Sequence, residues 1–223
     1  MFDSSANPIS LVLVLVGLSL APFIAVMTTS YLKMVVVLSL VRNALGIQQI
    51  PPNMVINGLA LILSFYVMAP VVNRSYDIVK SMPVPEEQNV GELLRGFGAA
   101  KEPFREFLMT HSHQRERDFF LRSAQELWPA EDAAAVTEDN LLILVPAFTI
   151  SELTSAFQIG FLIYLPFVAI DLIVSNILLA MGMMMVSPMT ISLPFKLLLF
   201  VLVDGWTRLI HGLVLTYANA GGP

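Results

Sequence analysis

Seven charged side chains are embedded in otherwise apolar stretches of this sequence: Lys33, Arg42, Glu152, Asp171, Lys196, Asp204 and Arg208. A charge near the centre of a lipid-facing helix costs about 2.5–3.5 kcal/mol. Lys196 and Asp204 lie in the single run ISLPFKLLLFVLVDGW. Facing acyl chains they would cost roughly 5–7 kcal/mol together, so they are expected to face protein or water. Two kinds of chemistry are open to such groups: ion pairing that fixes register and partner choice, or relay of protons and ions along a path. Lys196 has no acid at i+3 or i+4, so its expected partner is Asp171, across a hairpin or on a neighbouring copy. Arg42 and Glu152 form a second candidate pair between the two halves of the chain. Asp204 and Arg208 are spaced i, i+4 with the acid on the N-terminal side, the favourable order for an intrahelical pair.

Sulfur is the other conspicuous chemistry. Met181, Met183, Met184, Met185 and Met189 crowd a short segment around Ser187 and Pro188. Methionine is unbranched and polarizable, so it fills irregular gaps without a fixed rotamer. Such a cluster suits either the core of a buried hairpin or, contributed by several copies, a deformable plug that closes around nothing and reopens around an extended polypeptide. Catalytic patterns are missing: there is no H-E-x-x-H, no phosphate-binding G-x-x-x-x-G-K-[ST], no G-x-S-x-G and no dinucleotide glycine fingerprint. His111 and His113 make an H-x-H pair, but a third and fourth ligand at suitable spacing are lacking, and no metal is expected there. Neither a cofactor nor an enzymatic activity is expected.

The elements that must position these groups follow from composition. Mean hydropathy is +0.75, and 13% of residues are charged, against about 25% in ordinary soluble domains. A net charge of −5 gives no basic footprint for nucleic acid. With no cysteine, disulfides and thiolate metal sites are excluded. The N-terminal MFDSSANPIS lacks the basic region and cleavage site of a secretory leader, so the chain is read as unprocessed. Most charges fall between Asn73 and Asn140. The chain therefore divides into a hydrophobic hairpin over 1–72, a polar and mostly helical lobe over 73–140, and a second hydrophobic hairpin over 141–223. The class is all-α.

Within the first half, the apolar run Ile9–Val41 would make a helix of about 50 Å, longer than a hydrocarbon core of about 30 Å. Pro22 is expected to kink it. A turn at Gly46 and Pro51–Pro52 leads to a second helix over Met54–Val72. Lys33 and Arg42, unopposed by acids, place the intervening loop in the cytoplasm and the polar lobe outside. The lobe opens with a Pro-rich linker at Met82–Pro85. In the second half, Pro146 and Pro166 punctuate one long segment, and Ser192 with Pro194 is expected to start a last helix running to about Tyr217.

Three strings carry a family resemblance: RNALGIQQIPPN at Arg42–Asn53, LVPAFTISELTSAFQIGF at Leu144–Phe161, and MGMMMVSPMTISLPFKLLLFVLVDGW at Met181–Trp206. They closely resemble the FliP/SctR family, core subunits of the export apparatus in bacterial type III secretion. The plain N-terminus and the ISLPFKLLLFVLVDGW wording look more like the virulence-type (injectisome) branch than the flagellar one. The resemblance implies a pentamer joined by FliQ/SctS-like and FliR/SctT-like subunits. That complex would be a helical, cone-shaped gate in the base of the secretion system at the inner membrane, passing unfolded polypeptides. It also implies that Met183, Met184 and Met185 form a gasket closing the pore, and that Arg42, Glu152, Asp171 and Lys196 occupy charged positions suited to intersubunit bridges. The rival reading is a small-solute or ion transporter in which Asp171, Lys196 and Asp204 relay charge.

Overall fold

The computed structural model describes residues 8–47, 49–81 and 98–218. The linker expected at Met82–Pro85 lies outside them. Among the described residues there are nine helices and no strand: α1 (Pro8–Thr28), α2 (Tyr31–Ala44), α3 (Asn53–Ser81), α4 (Glu102–His111), α5 (Gln114–Leu127), α6 (Ala130–Ala135), α7 (Leu141–Ala180), α8 (Pro188–Leu202) and α9 (Gly205–Ala218).

α2 is the central element. Lys33, Met34, Val37, Leu38, Val41 and Ala44 are buried on it, a one-sided helical stripe pressed mainly against α7 and α3. α7 runs 40 residues, roughly 60 Å at 1.5 Å per residue. It starts cleanly because the Asn140 side chain accepts the backbone N–H of Leu142 at 3.0 Å. Its buried face is also a stripe, through Leu144, Ala147, Phe148, Ser151, Glu152, Ala156, Gly160 and Phe167. Small residues on that stripe let the backbones approach closely. At Gly160 a Cβ would lie 2.3 Å from the Leu40 side chain, so no larger residue fits unless Leu40 on α2 gives way.

The first apolar run is broken, and not at Pro22. α1 and α2 meet at a 66° bend around Thr29 and Ser30. Pro22 stays inside α1. A break in an apolar environment frees backbone carbonyls that water cannot satisfy. Here Thr28 donates to the Ile24 carbonyl and Thr29 to the Ala25 carbonyl, while Thr149 of α7 reaches the Met27 carbonyl at 3.3 Å. Buried Ser30 donates to Ser64 of α3 at 3.2 Å. The hydroxyl run, rather than the proline, supports the bend.

The last apolar run is broken too. It was expected to start at Ser192 and continue to Tyr217. Instead α8 begins at Pro188, and a 60° bend at Val203–Asp204 separates it from α9. Asp204 takes φ 51°, and a Cβ on Gly205 would lie 2.3 Å from the Phe200 ring. α3 likewise runs to Ser81, nine residues past the expected end of the first hairpin. Both α3 and α7 are long and apolar enough to cross a membrane, and each bent pair passes the same test if read as one span. α4 does not stand apart from the hairpins: its Phe107 and Leu108 enter the main core beside Met34, Leu144 and Phe148. A smaller core of Ala124, Val136 and Ile143 ties α5 to the start of α7.

Candidate functional site: buried charge clusters and a methionine tip

The deepest polar cluster joins all three parts of the chain. Lys33 on α2 pairs with Glu152 on α7 at 2.8 Å, with side-chain exposures of 7% and 1%. Tyr217 near the end of α9 donates its hydroxyl to the other Glu152 oxygen. The Lys33 ammonium also stands 4.3 Å from the centre of the Tyr217 ring. That ring stacks on Phe107 of α4 at 6.0 Å and meets His111 edge-on at 5.0 Å. Burial, and secondarily the charge of Lys33, hold the His111 imidazole down to about 4. It is therefore a neutral aromatic packing group at neutral pH. His113 donates its backbone N–H to Ser151 of α7 at 2.9 Å. The H-x-H pair is thus split between two packing tasks that fasten α4 and α5 to α7.

This cluster corrects one expected pairing. Glu152 is matched by Lys33, nine residues before Arg42 on the same helix, because that register seats the α2 stripe on α7. Arg42 instead binds the Asn53 side chain at 2.6 Å and the Pro51 carbonyl at 3.3 Å, holding the turn between α2 and α3.

The second cluster sits in the α7–α8 hairpin. Lys196 donates to Asp171 at 2.6 Å and to the Ala44 carbonyl, the last residue of α2, at 3.3 Å. A cation there also complements the negative end of that helix. Ser192, expected as a helix cap, is buried and donates to the other Asp171 oxygen at 2.6 Å. The side chain of Lys196 is 5% exposed and that of Asp171 39%, so one face of the carboxylate remains open.

Asp204 and Arg208 do not form the expected intrahelical pair. Asp204 lies in the break between α8 and α9, outside the helix that carries Arg208, and only its carbonyl meets the Arg208 backbone N–H, at 3.1 Å. Among the described residues no acid pairs with Arg208. In the polar lobe, by contrast, Arg105 bridges to Asp139 at 2.5 Å and Glu102 at 2.6 Å. The hydroxyl of Thr137 and the Arg105 guanidinium hold the Asp139 carboxyl below its usual range.

The methionines occupy the tip of the α7–α8 hairpin. α7 ends because Gly182 takes φ 72°, with its N–H donating to the Leu179 carbonyl and the Met183 N–H to the Leu178 carbonyl, both near 3.0 Å. This paired pattern satisfies the last helical carbonyls and turns the chain sharply. Beyond it Met183, Met184 and Met185 are 43%, 81% and 101% exposed.

These buried charges on long apolar helices, with thioethers at one tip, occur in a chain whose residues 14–213 match the FliP family profile. The chain belongs to the FliP family. Similarity within the family extends nearly end to end. The "Yop proteins translocation protein R" of Yersinia pestis is 59% identical over 213 residues, 96% of this chain and 98% of the relative. The "Hypersensitivity response secretion protein HrcR" of Ralstonia nicotianae is 52% identical, covering 93% and 96%. The "Virulence protein YscR" of Salmonella typhimurium is 48% identical, covering 95% and 98%. These names agree with the virulence-type branch expected from the sequence. For this FliP-family chain they point to protein secretion, and its helices to a membrane setting.

Tyr217 joins the first cluster as a partner that the embedded charges alone do not announce. Tyr217 closes an apolar helix, and a buried tyrosine hydroxyl needs an acceptor. That signal pointed towards a carboxylate on another helix.

Proposed function

We propose that this chain is a pore-forming and gating subunit of a type III secretion export gate, passing unfolded polypeptides across the bacterial inner membrane. In this reading five copies assemble with FliQ/SctS-like and FliR/SctT-like subunits, and Met183, Met184 and Met185 of each copy close the conduit. The observation that carries it is the methionine tip. Three large apolar side chains are held out by a glycine-terminated helix end, and burying one fully is worth roughly 1.5–3 kcal/mol. A lone copy forgoes that gain, whereas a ring of copies recovers it and can yield when a chain passes.

Other surfaces support assembly. α7 leaves Phe157, Phe161, Leu162 and Leu172 exposed on the faces away from its stripe. Arg42, which meets no acid among the described residues, and the open face of Asp171 suit bridges to neighbouring copies, whereas Glu152 is consumed within its own chain.

The test is conductance of the intact complex after reconstitution. Replacing Met183–Met185 with alanine is expected to raise the leak of small ions while assembly persists. Unchanged conductance removes the gasket role. Loss of saturable solute uptake in place of a leak would favour the transporter reading.

A further inference from the structure

The bend between α8 and α9 does more than redirect the chain. Opposite it Pro166 interrupts the α7 ladder, and between them opens a groove of about 450 Å³. Ile163, Pro166, Phe167, Phe200 and Leu209 line it, and Arg208 is the one charged residue among the described residues that line it. Two observations bear on what belongs there. The lining is almost wholly apolar, in a chain whose helices are long and oily enough for a membrane. Arg208 is an exposed residue, with no acid against it among the described residues, although the sequence offers Asp204 one turn away.

An uncompensated arginine on an apolar helix is expensive in hydrocarbon, and the cost falls when the side chain reaches an anionic group. Guanidinium forks bind phosphate oxygens in pairs, so phosphate is a better counter-ion for it than a neutral dipole. We infer that this groove is a lipid site: one acyl chain of an anionic glycerophospholipid lies along the Pro166–Phe200 wall, and its phosphate engages Arg208. The occupant is taken to be lipid rather than a second copy because Arg208 calls for an anion at the end of an otherwise apolar groove. A lipid presents that combination in one molecule. The inference does not rest on the gating role of the methionines.

Trp206 provides the reporter. It meets Phe200, part of the groove wall, edge-on at 5.3 Å, and the chain has one other tryptophan, Trp128 in the polar lobe. The experiment uses the full chain carrying Trp128→Phe in bilayer nanodiscs, with bromine on the acyl chains of either phosphatidylglycerol or phosphatidylcholine. Quenching of Trp206 is expected at about fivefold lower mole fraction of the anionic lipid, the preference that one basic residue near the membrane surface supplies. Arg208→Gln should bring the two lipids to parity. Arg208→Lys, which keeps the charge, should retain most of the preference and so separates loss of charge from misfolding. Equal quenching by both lipids in the parent, or a preference that survives Arg208→Gln, overturns the site. So does the absence of quenching by either lipid, which would mean that protein covers the groove. A second reading comes from the complex purified with its partner subunits, where extracted phospholipid should be enriched in anionic species and lose that enrichment with Arg208→Gln.

Discussion

Removing one member of the Lys33–Glu152 pair should be among the most damaging single changes outside the apolar core. Lys33→Met leaves a carboxylate that is 1% exposed with the Tyr217 hydroxyl as its remaining partner, and Glu152→Gln leaves a buried ammonium facing a neutral amide. Truncating one side of a buried pair costs about 3–5 kcal/mol because the survivor cannot regain its hydration. For a chain of this length each kcal/mol moves the unfolding midpoint by about 2–4 °C, so each single variant should melt roughly 6–20 °C lower. The double variant Lys33→Met with Glu152→Gln removes both charges while keeping their approximate volumes. It should recover at least about 2 kcal/mol relative to the sum of the singles, since neither side is left unpaired. The assay is thermal unfolding of the full chain in detergent, followed by the helical circular dichroism signal. Single variants losing under about 1 kcal/mol, or a double variant equal to the sum of the singles, would refute the coupling.

Three further outcomes follow from particular contacts. Gly182→Ala forces a side chain into φ 72° and should cost about 1–2 kcal/mol; conductance of the reconstituted complex should also rise, because the methionine tip is re-aimed. Gly205→Ala drives a methyl group into the Phe200 ring and should lower the melting temperature. Gly205→Ala combined with Phe200→Leu should recover part of that loss, and failure to do so would mean that the ring contact is not the constraint. Finally, His111 titrates near 4 in the folded chain against about 6.5 when unfolded, so the unfolded state binds more protons between those values. Its contribution to stability is complete above about pH 6.5 and is lost as pH falls towards 4. The slope of melting temperature against pH across that window should therefore flatten in His111→Phe, and an unchanged slope would assign it to other groups.

How far these arrangements were legible in the sequence depended on the distance over which each was decided. Asp171 and Lys196 pair within one chain because they lie thirteen and twelve residues from Met184, nearly equidistant from the turn of one hairpin; the sequence leaves that place and a neighbouring copy both open. Glu152 was assigned the wrong cation because Lys33 and Arg42 lie on the same helix. Only the seating of α2 on α7 selects between them, and no local pattern encodes that register. The apolar runs announced helices, but their breaks were hidden. At Thr28–Ser30 the hydroxyls that satisfy the bend look in sequence like mild interruptions, while Pro22, the expected breaker, sits undisturbed in α1. At Asp204 the deciding feature is a left-handed backbone angle on a non-glycine residue, which residue type does not reveal. Met183, Met184 and Met185 stood out by type alone, whereas their outward aim became plain only with the glycine that ends α7.

The length of α7 has a mechanical consequence. Its first turns are bolted to the polar lobe and its far end carries the thioether tip, so a small rocking motion at one extremity is amplified at the other. Over roughly 60 Å, a tilt of about 5° about the Asn140 end sweeps the tip through about 5 Å, close to the rise of one helical turn. A ligand or subunit that grips the lobe thus has leverage over a methionine tip it never touches.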